Sequence, residues 1–313
     1  MFKRLIDVFA TNINTGETYV LVDHNDGINS LVCKGDFERF CGTEVDKMNL
    51  YIYNLPANII GNISSEYENY KIRVSFSYED ENPMSVIFEG NLMRITNQRE
   101  DSVTSKTTLY VYDSGQFSTY GFYSGSYSDG VNYYDIAKDI CENNTHKISY
   151  SLDEKLKQYT VYGSLVYYNS ANECLQDIAD KTDTLLTFEN DMAIISSKEG
   201  ESEEEIIVFT QYNEALRKTT SNSGLIGIPT LESDGLSFSC LLNPLMSIYK
   251  LVLIDNSIIS VNQTGVIPNR NWGAQLDSNN LYRVIRFSGT FANNGDECRM
   301  DVKALSREIF DEF

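Results

Sequence analysis

The side chains best suited to acid–base or nucleophilic chemistry are two histidines and many carboxylates. His24 and His146 are the whole histidine content, so any Ser–His or Cys–His nucleophile pair would have to use one of them. Both lie beside polar turn residues, and we interpret them as solvated. Among 45 acidic residues some pair always lies close together, so their number does not indicate a paired-carboxylate glycosidase. We therefore predict no catalytic residue and no enzymatic activity.

Motifs for metals and cofactors are equally weak. Residues 23–27 superficially resemble a calcium loop, but placing Gly27 at the sixth loop position puts Val22 at the first ligand position. No phosphate-binding glycine loop or dinucleotide fingerprint occurs in the sequence. We predict no metal and no cofactor. The six cysteines form no C-x-x-C pair, which favours buried thiols in a reducing compartment over zinc sites or disulfides: Cys33, Cys41, Cys141, Cys174, Cys240 and Cys298.

The chain is strongly acidic, with 25 basic against 45 acidic residues and a net charge of −20. No cluster of lysines and arginines is available to neutralise phosphates, so we predict no tight binding to DNA or RNA. The same charge disfavours docking on an anionic membrane. No run of about 18 apolar residues occurs, and the apolar stretch at the N-terminus is too short for a signal peptide. We expect that the protein is synthesised in a cytoplasm and is not anchored in a membrane.

Alternating apolar residues and tight-turn signals predict that residues 1–115 form a β domain. A short helix is expected to follow Pro56, with Asn54 as its cap. The predicted strands lie at residues 5–11, 18–22, 47–53, 71–78, 84–89, 92–96 and 107–113.

In residues 116–200 the apolar residues have helical spacing in two segments, and this pattern predicts a small α/β domain. Helices are expected at residues 131–143 and 171–181, each followed by a strand, at 147–152 and 185–189. The two helix–strand units match in residue class, for example Asp139 with Asp177. The stretch 113–132 is rich in Gly, Ser, Tyr and Asp and is expected to be a long loop.

Residues 201–313 are predicted to form a second β domain, after a charged stretch at 198–205 that we interpret as a linker. The sequence Phe287–Phe291 is similar to Phe88–Leu92, which favours related domains at the two ends. The predicted fold is thus mainly β with an α+β insertion, in which two antiparallel β-barrel or sandwich domains flank the small α/β domain. Strands are expected at residues 206–209, 236–240, 249–254, 281–290 and 297–304.

One segment of the last domain combines residues that free the backbone with residues that restrict it. Gly224 and Gly227 permit conformations closed to other residues, and Pro229 holds its predecessor extended. The Asp-Gly pair at 234–235 signals a hairpin, and Asn243 with Pro244 ends the following strand. Taken alone, this pattern predicts only a hairpin in a β domain.

The segment resembles a recurring element of bacteriophage tail baseplate hub proteins, the late control protein D-like group of contractile tails. Residues 48–63 and 87–92 are similar to the N-terminal domain of that group, so the resemblance covers nearly the whole chain. The sequence departs from the group after the last motif residue, because residues 245–249 lack the expected glycine. The structural motif residues that carry the resemblance are Gly224, Leu225, Ile226, Gly227, Pro229, Leu241, Leu242, Asn243 and Pro244.

The resemblance implies a structural virion protein at the hub of a tail baseplate, assembled in the host cytoplasm. Each subunit of a homotrimer would contribute two tube-like β domains to a pseudo-sixfold ring that joins the tail tube to the spike. The implied partners are the tail tube protein, the spike protein and other baseplate proteins. DNA would pass through the channel during ejection without tight binding, since an acidic lumen repels its phosphates.

Two other functions stay open at this point. A tail-associated cell-wall hydrolase would need a catalytic domain, for which a chain of 313 residues has little room beside two β domains. A receptor-binding β protein would instead bind host cells directly.

Overall fold

The computed structural model describes residues 4–25, 30–78, 84–198, 206–209, 224–261, 275–295 and 297–310. Within these ranges the chain divides into two compact units. The predicted division into domains 1–115, 116–200 and 201–313 stays a prediction, and residues 199–205 of the predicted linker lie outside the described ranges. The first unit comprises Met1–Phe37, Gly42–Gly200 and Ala292–Gly295, and the second Glu38–Cys41, Glu201–Phe291 and Asp296–Phe313.

The first unit is built on a sheet whose strand order is β3-β4-β7-β6-β5-β1-β2. From β4 to β2 every neighbouring pair is antiparallel. In β1 alternate residues Ile6, Val8 and Ala10 are buried, which is the period of a strand with one face on the core. The strands are β1 (Arg4–Asn12), β2 (Thr18–Val22), β3 (Cys33–Phe40), β4 (Lys47–Tyr53), β5 (Tyr70–Tyr78), β6 (Ser85–Arg99) and β7 (Ser105–Tyr112).

Strand β6 is continuous, although the sequence predicts two strands with a break between residues 89 and 92. That prediction is wrong because Gly90 serves close packing and not a turn. A Cβ atom at Gly90 would lie 2.4 Å from the carbonyl oxygen of Tyr112, at the end of β7. The glycine therefore lets the backbones of β6 and β7 approach each other.

Helix α1 (Ala57–Ser65) begins after Pro56, as predicted, but Asn54 does not cap it. The N-cap residue is Pro56, which makes no side-chain capping bond. Asn54 has a positive φ of 57°, and its side-chain oxygen accepts a hydrogen bond from the backbone N–H of Ser105 at 2.9 Å. This asparagine thus joins the end of β4 to the start of β7.

The middle of the chain contains alternating helices and strands that share their own core of buried apolar residues. Helices occupy both places predicted from the sequence, and the predicted loop at 113–132 is wrong because it contains α2 and β8. Strand β8 pairs with β10, a strand the sequence did not predict. The elements are α2 (Gly115–Tyr120), β8 (Phe122–Ser128), α3 (Tyr133–Glu142), β9 (Ser149–Leu152), β10 (Ser164–Ser170), α4 (Ala171–Thr182), β11 (Thr184–Phe188) and β12 (Met192–Ser197).

The hairpin turn between β11 and β12 is bound to the end of β7 by Asp113. Asn190 and Asp191 take positive φ angles of 54° and 62°, and their backbone N–H groups each donate to the Asp113 carboxylate at 2.7 Å. Lys71 on β5 forms an ion pair with Asp191. Burial raises the pKa of Asp191 above its ordinary value, against the opposing effect of Lys71. These contacts fasten the hairpin to the large sheet of the same unit.

The second unit has the strand order β17-β14-β15-β19-β18-β16-β13. Most pairs are antiparallel, but β13 with β16 and β14 with β17 are parallel. In both parallel pairs other strands intervene between the partners in the chain, which supplies the long connection that a parallel pair requires. The chain is mainly β with small helical insertions, which confirms the predicted fold class. The elements are β13 (Ile207–Phe209), β14 (Leu225–Glu232), β15 (Gly235–Leu241), β16 (Leu251–Ile254), β17 (Ser260–Val261), β18 (Leu281–Ala292), β19 (Cys298–Ser306) and α5 (Arg307–Phe310).

Candidate functional site

The motif at residues 224–244 forms the hairpin of β14 and β15, with a wide bulge in its first strand. Ile226 is paired with Ser239, and the next pair is Thr230 with Ser237, so three residues of β14 lie opposite one residue of β15. Gly227 has a φ of +75°, which favours glycine, and Pro229 has no N–H to donate to the ladder. The two residues that the sequence singles out therefore permit the bulge at this place.

Both ends of the motif are fixed by backbone contacts. The N–H of Leu241 donates to the carbonyl of Gly224 at 2.7 Å, and a Cβ atom on that glycine would lie 3.3 Å from the Leu241 Cβ atom. Leu242 is buried. The side-chain oxygen of Asn243 accepts from the N–H of Leu245 at 3.0 Å, so Asn243 and Pro244 begin a turn that ends β15.

Residues 245–249, which lack the expected glycine, end in a buried tyrosine with a left-handed backbone. Tyr249 has a φ of +65°, a conformation that favours glycine. Its N–H donates to the carbonyl of Val284 at 2.8 Å, and its carbonyl accepts from Arg283 Nη1 at 3.1 Å. These bonds hold the left-handed conformation that the side chain by itself disfavours.

The bulge borders an open groove of about 570 Å³ on the face of the strands of the second unit. Ile226 and Ile228 are exposed at its border, by 42% and 64%. Inside the groove Lys303 forms ion pairs with Glu232 and Asp234. These charged groups are paired with one another and are not arranged as a nucleophile and a base.

His24 lies in a half-buried cluster with Asp7 and Asp23 at the end of β2. Its Nδ1 is 2.7 Å from Asp7 Oδ1 and 3.9 Å from Asp23 Oδ1, and its backbone N–H donates to the same Asp7 oxygen at 2.8 Å. The potential ligand atoms lie within 4.8 Å of one another. The contacts of His24 with Asp7 link the turn that follows β2 to strand β1.

His146 lies in a bend after α3. Its backbone N–H donates to the side-chain oxygen of Asn144 at 2.7 Å, and the centroid of its ring is 6.0 Å from that of the Tyr120 ring. Neither contact supplies the nucleophile that a His-based catalytic pair would need.

The six cysteines are free, and all except Cys41 are buried, as the sequence predicts. Burial raises the pKa of the Cys141 and Cys240 thiols to about 12. These side chains therefore stay protonated near neutral pH and are poor nucleophiles.

A cluster around Asp139 on α3 is the clearest polar feature that sequence reasoning missed. Tyr123 and Tyr127 on β8 both donate their hydroxyls to Asp139 Oδ2, the latter at 2.6 Å. Burial, followed by the Asp139 contact, raises the pKa of Tyr123 to about 12. In the second helix–strand unit Tyr167 donates to Asp177 at 2.6 Å. The matched acids of the sequence therefore bind tyrosines of β8 and β10, which fixes these strands to α3 and α4.

Comparison with solved structures relates the whole chain to tail proteins. A tail protein from Neisseria meningitidis MC58 matches with a TM-score of 0.59 and 8% identity over 98% of each chain. The chain has the fold of phage tail proteins. The 43 kDa tail protein of prophage MuSo2 from Shewanella oneidensis matches with a TM-score of 0.58 and 9% identity, again over 98% of each chain.

A component of a secretion system is also similar in fold to this chain. An Escherichia coli protein matches with a TM-score of 0.55 and 8% identity over 90% of this chain and 75% of that one. It is described as a component of the type VI secretion system with structural similarity to the T4 bacteriophage tail proteins gp27 and gp5. No protein-family model matches the sequence, and no curated protein matches it.

These matches confirm the resemblance to phage tail proteins at the level of the fold. Among the described helices, none combines the length and the apolar character needed to cross a membrane. The role of the motif residues at 224–244 is not tested by the matches and stays a prediction.

Proposed function

We propose that this protein is a structural component of a phage tail, the baseplate hub that joins the tail tube to the spike. The observation that carries the proposal is the likeness to two tail proteins over 98% of each chain. A likeness of that extent includes both β-rich ends and the helical middle segment, so it supports the same arrangement of parts and not one shared module.

In this proposal three copies form a ring, and each contributes two tube-like β domains, residues 1–115 and 201–313, with residues 116–200 between them. Six similar domains from three subunits would match a sixfold tube on one side and a threefold spike on the other. Phe88 and Leu92 in β6 and Phe287 and Phe291 in β18 are all buried within long strands. This correspondence supports related domains at the two ends of the chain.

The tube protein, the spike protein and other baseplate proteins are the proposed partners. The Escherichia coli match, with its described similarity to the tail proteins gp27 and gp5, supports assembly with other tail proteins. The motif hairpin would shape one border of the second β domain, where its bulge exposes Ile226 and Ile228.

The net charge of −20 supports a channel through which DNA passes without tight binding. A wall of like charge repels the phosphates, so the DNA is not retained during ejection. A ring whose lumen was lined mainly by lysine and arginine would contradict this part of the proposal.

Co-assembly with the tail tube protein tests the proposal. Polymerised tube protein is mixed with this protein and imaged by electron microscopy. We expect density that caps one end of each tube, because a hub meets the tube through a single face. Absence of binding, or binding along the sides of the tube, would contradict a hub.

Incubation with purified peptidoglycan separates the hub from a tail-associated hydrolase. We expect no release of soluble muropeptides. Release that increases with protein concentration would favour the hydrolase instead.

A further inference from the structure

The two strands β8 and β10 form a ribbon whose outer face is left uncovered. They pair over seven positions without a bulge, from Phe122 with Ser170 to Ser128 with Ser164. In the described part of the chain neither strand pairs with a third one. The buried side chains Tyr123 and Tyr167 point towards α3 and α4 and donate to acids on these helices. The side chains on the opposite face of the ribbon are exposed, and the described part of this unit does not cover them.

This outer face carries no charge, although the whole chain has a net charge of −20. Val166 is 69% exposed, Tyr168 is 78% exposed and Phe122 is 44% exposed. Tyrosine supplies contact area at low entropic cost and serine supplies adaptable hydrogen bonds, a combination that antibody paratopes use to bind protein. The outward-facing side chains are Phe122, Ser124, Ser126, Ser128, Ser164, Val166 and Tyr168.

Both long edges of the ribbon present backbone groups that can pair with another strand. The backbone N–H of Ala171 donates to the carbonyl of Gly121 at 3.0 Å, so these two residues form a hydrogen-bonded pair. In an antiparallel ladder such pairs alternate with non-hydrogen-bonded pairs, whose backbone groups point outwards. It follows that the N–H and C=O groups of Ser124, Ser126 and Val166 point away from the partner strand. Soluble proteins usually protect such edges with lysine, proline or a bulge, and β8 and β10 contain none of these.

We propose that a second copy of this chain covers the ribbon: the β8 edge of one copy pairs antiparallel with the β10 edge of the next. Two copies that each carry a charge of −20 repel, so contact through an uncharged surface has the lowest electrostatic cost. The two edges differ, and a contact between unlike patches is the kind that closes a ring of identical subunits. The inference rests on the trimer of the proposed function and places one of its contacts.

A pair of charge variants tests the proposal. Val166→Glu places a carboxylate on the outer face of the ribbon, and Val103→Glu makes the same change in the exposed turn between β6 and β7. The mass of each variant is measured by light scattering over a range of concentrations. We expect Val166→Glu to raise the dissociation constant about tenfold or more, because a like charge enters the contact, and Val103→Glu to leave it unchanged.

Hydrogen exchange supplies the second measurement. The outward N–H groups of residues 122–128 and 164–170 should become protected as the wild-type concentration rises, and this protection should be lost in Val166→Glu. A wild-type trimer with no such protection would overturn the ribbon contact and leave the hub proposal standing. A chain that stays monomeric would overturn it, as would protection that appears only when a tube or spike protein is added.

Discussion

The role of Gly90 follows from the atoms that an added side chain would contact. At Gly90 an added Cβ atom would lie 2.4 Å from the backbone oxygen of Tyr112. We expect Gly90→Ala to lower the free energy of unfolding by about 1–3 kcal/mol, since β6 or β7 must shift to make room. Chemical denaturation measures this change.

Gly61 is the matched control for that variant. It lies in α1, and nothing is within 4 Å of the position of an added Cβ atom. Alanine is favoured over glycine inside a helix, so Gly61→Ala should raise the free energy of unfolding by up to about 1 kcal/mol. Equal effects of the two alanines would contradict the close approach of β6 and β7.

Asp139 is a second residue with a measurable role. Burial favours its neutral form, but hydrogen bonds from Tyr123, Tyr127 and Asn143 outweigh burial and lower the pKa of this carboxyl. Asp139→Asn should lower the free energy of unfolding at pH 7 by about 1–3 kcal/mol, because two partly buried hydroxyls lose a charged acceptor. Asp180→Asn, at an exposed position on α4 that accepts only from Gln176 among the bonds described, should change it far less.

The lowered pKa of Asp139 also predicts the direction of a pH effect. An acid whose pKa is lower in the folded state stabilises the fold above its unfolded pKa of about 4. This contribution is lost as the pH falls through the folded-state pKa. The wild type should therefore lose more stability than Asp139→Asn below about pH 4. A parallel loss in both proteins would contradict the role of the carboxylate.

At the scale of elements, the β11–β12 hairpin depends on Asp113 for its attachment to the large sheet. Asp113→Ala removes the acceptor of two turn N–H groups, and amide exchange in residues 184–197 should accelerate about tenfold or more. Asp101 makes similar bonds to Val103 and Thr104 inside its own turn, so Asp101→Ala should affect that turn alone. Unchanged exchange at 184–197 in Asp113→Ala would show that the hairpin is held by other contacts.

The elements that the sequence predicts well are those with regular apolar spacing. The spacing predicts β4 at residues 47–53, as observed, and α4 to within one residue. Strand β3 escapes prediction because its inward positions include Gly35 and Arg39 as well as apolar residues. The ribbon escapes because its strands are rich in serine and tyrosine and pair across a long stretch of chain. Local pattern does not encode that pairing.

The candidate site is predictable only where a local sequence signal determines the structure. The Asp-Gly pair predicts the hairpin, which closes between Glu232 and Gly235. The width of the bulge depends on the register between β14 and β15, which Gly227 and Pro229 permit but do not determine. The cluster of Tyr123 and Tyr127 on Asp139 could have been suspected from the matched acids, but their tyrosine partners lie on an unpredicted strand.

At the scale of the whole molecule, the likeness to two tail proteins spans 98% of each chain and shows a shared fold. In the proposed trimer, copies that each carry a net charge of −20 meet through the uncharged outer face of the β8–β10 ribbon. We therefore expect assembly to be sensitive to a charge placed on that face and tolerant of a charge placed at exposed positions away from it.

Electron microscopy of the purified protein, combined with light scattering for its mass, is the decisive test of the trimeric hub. We expect rings with a central hole and a mass three times the chain mass of 35.5 kDa. A particle that remains a compact monomer of 35.5 kDa at every concentration would contradict the trimeric hub.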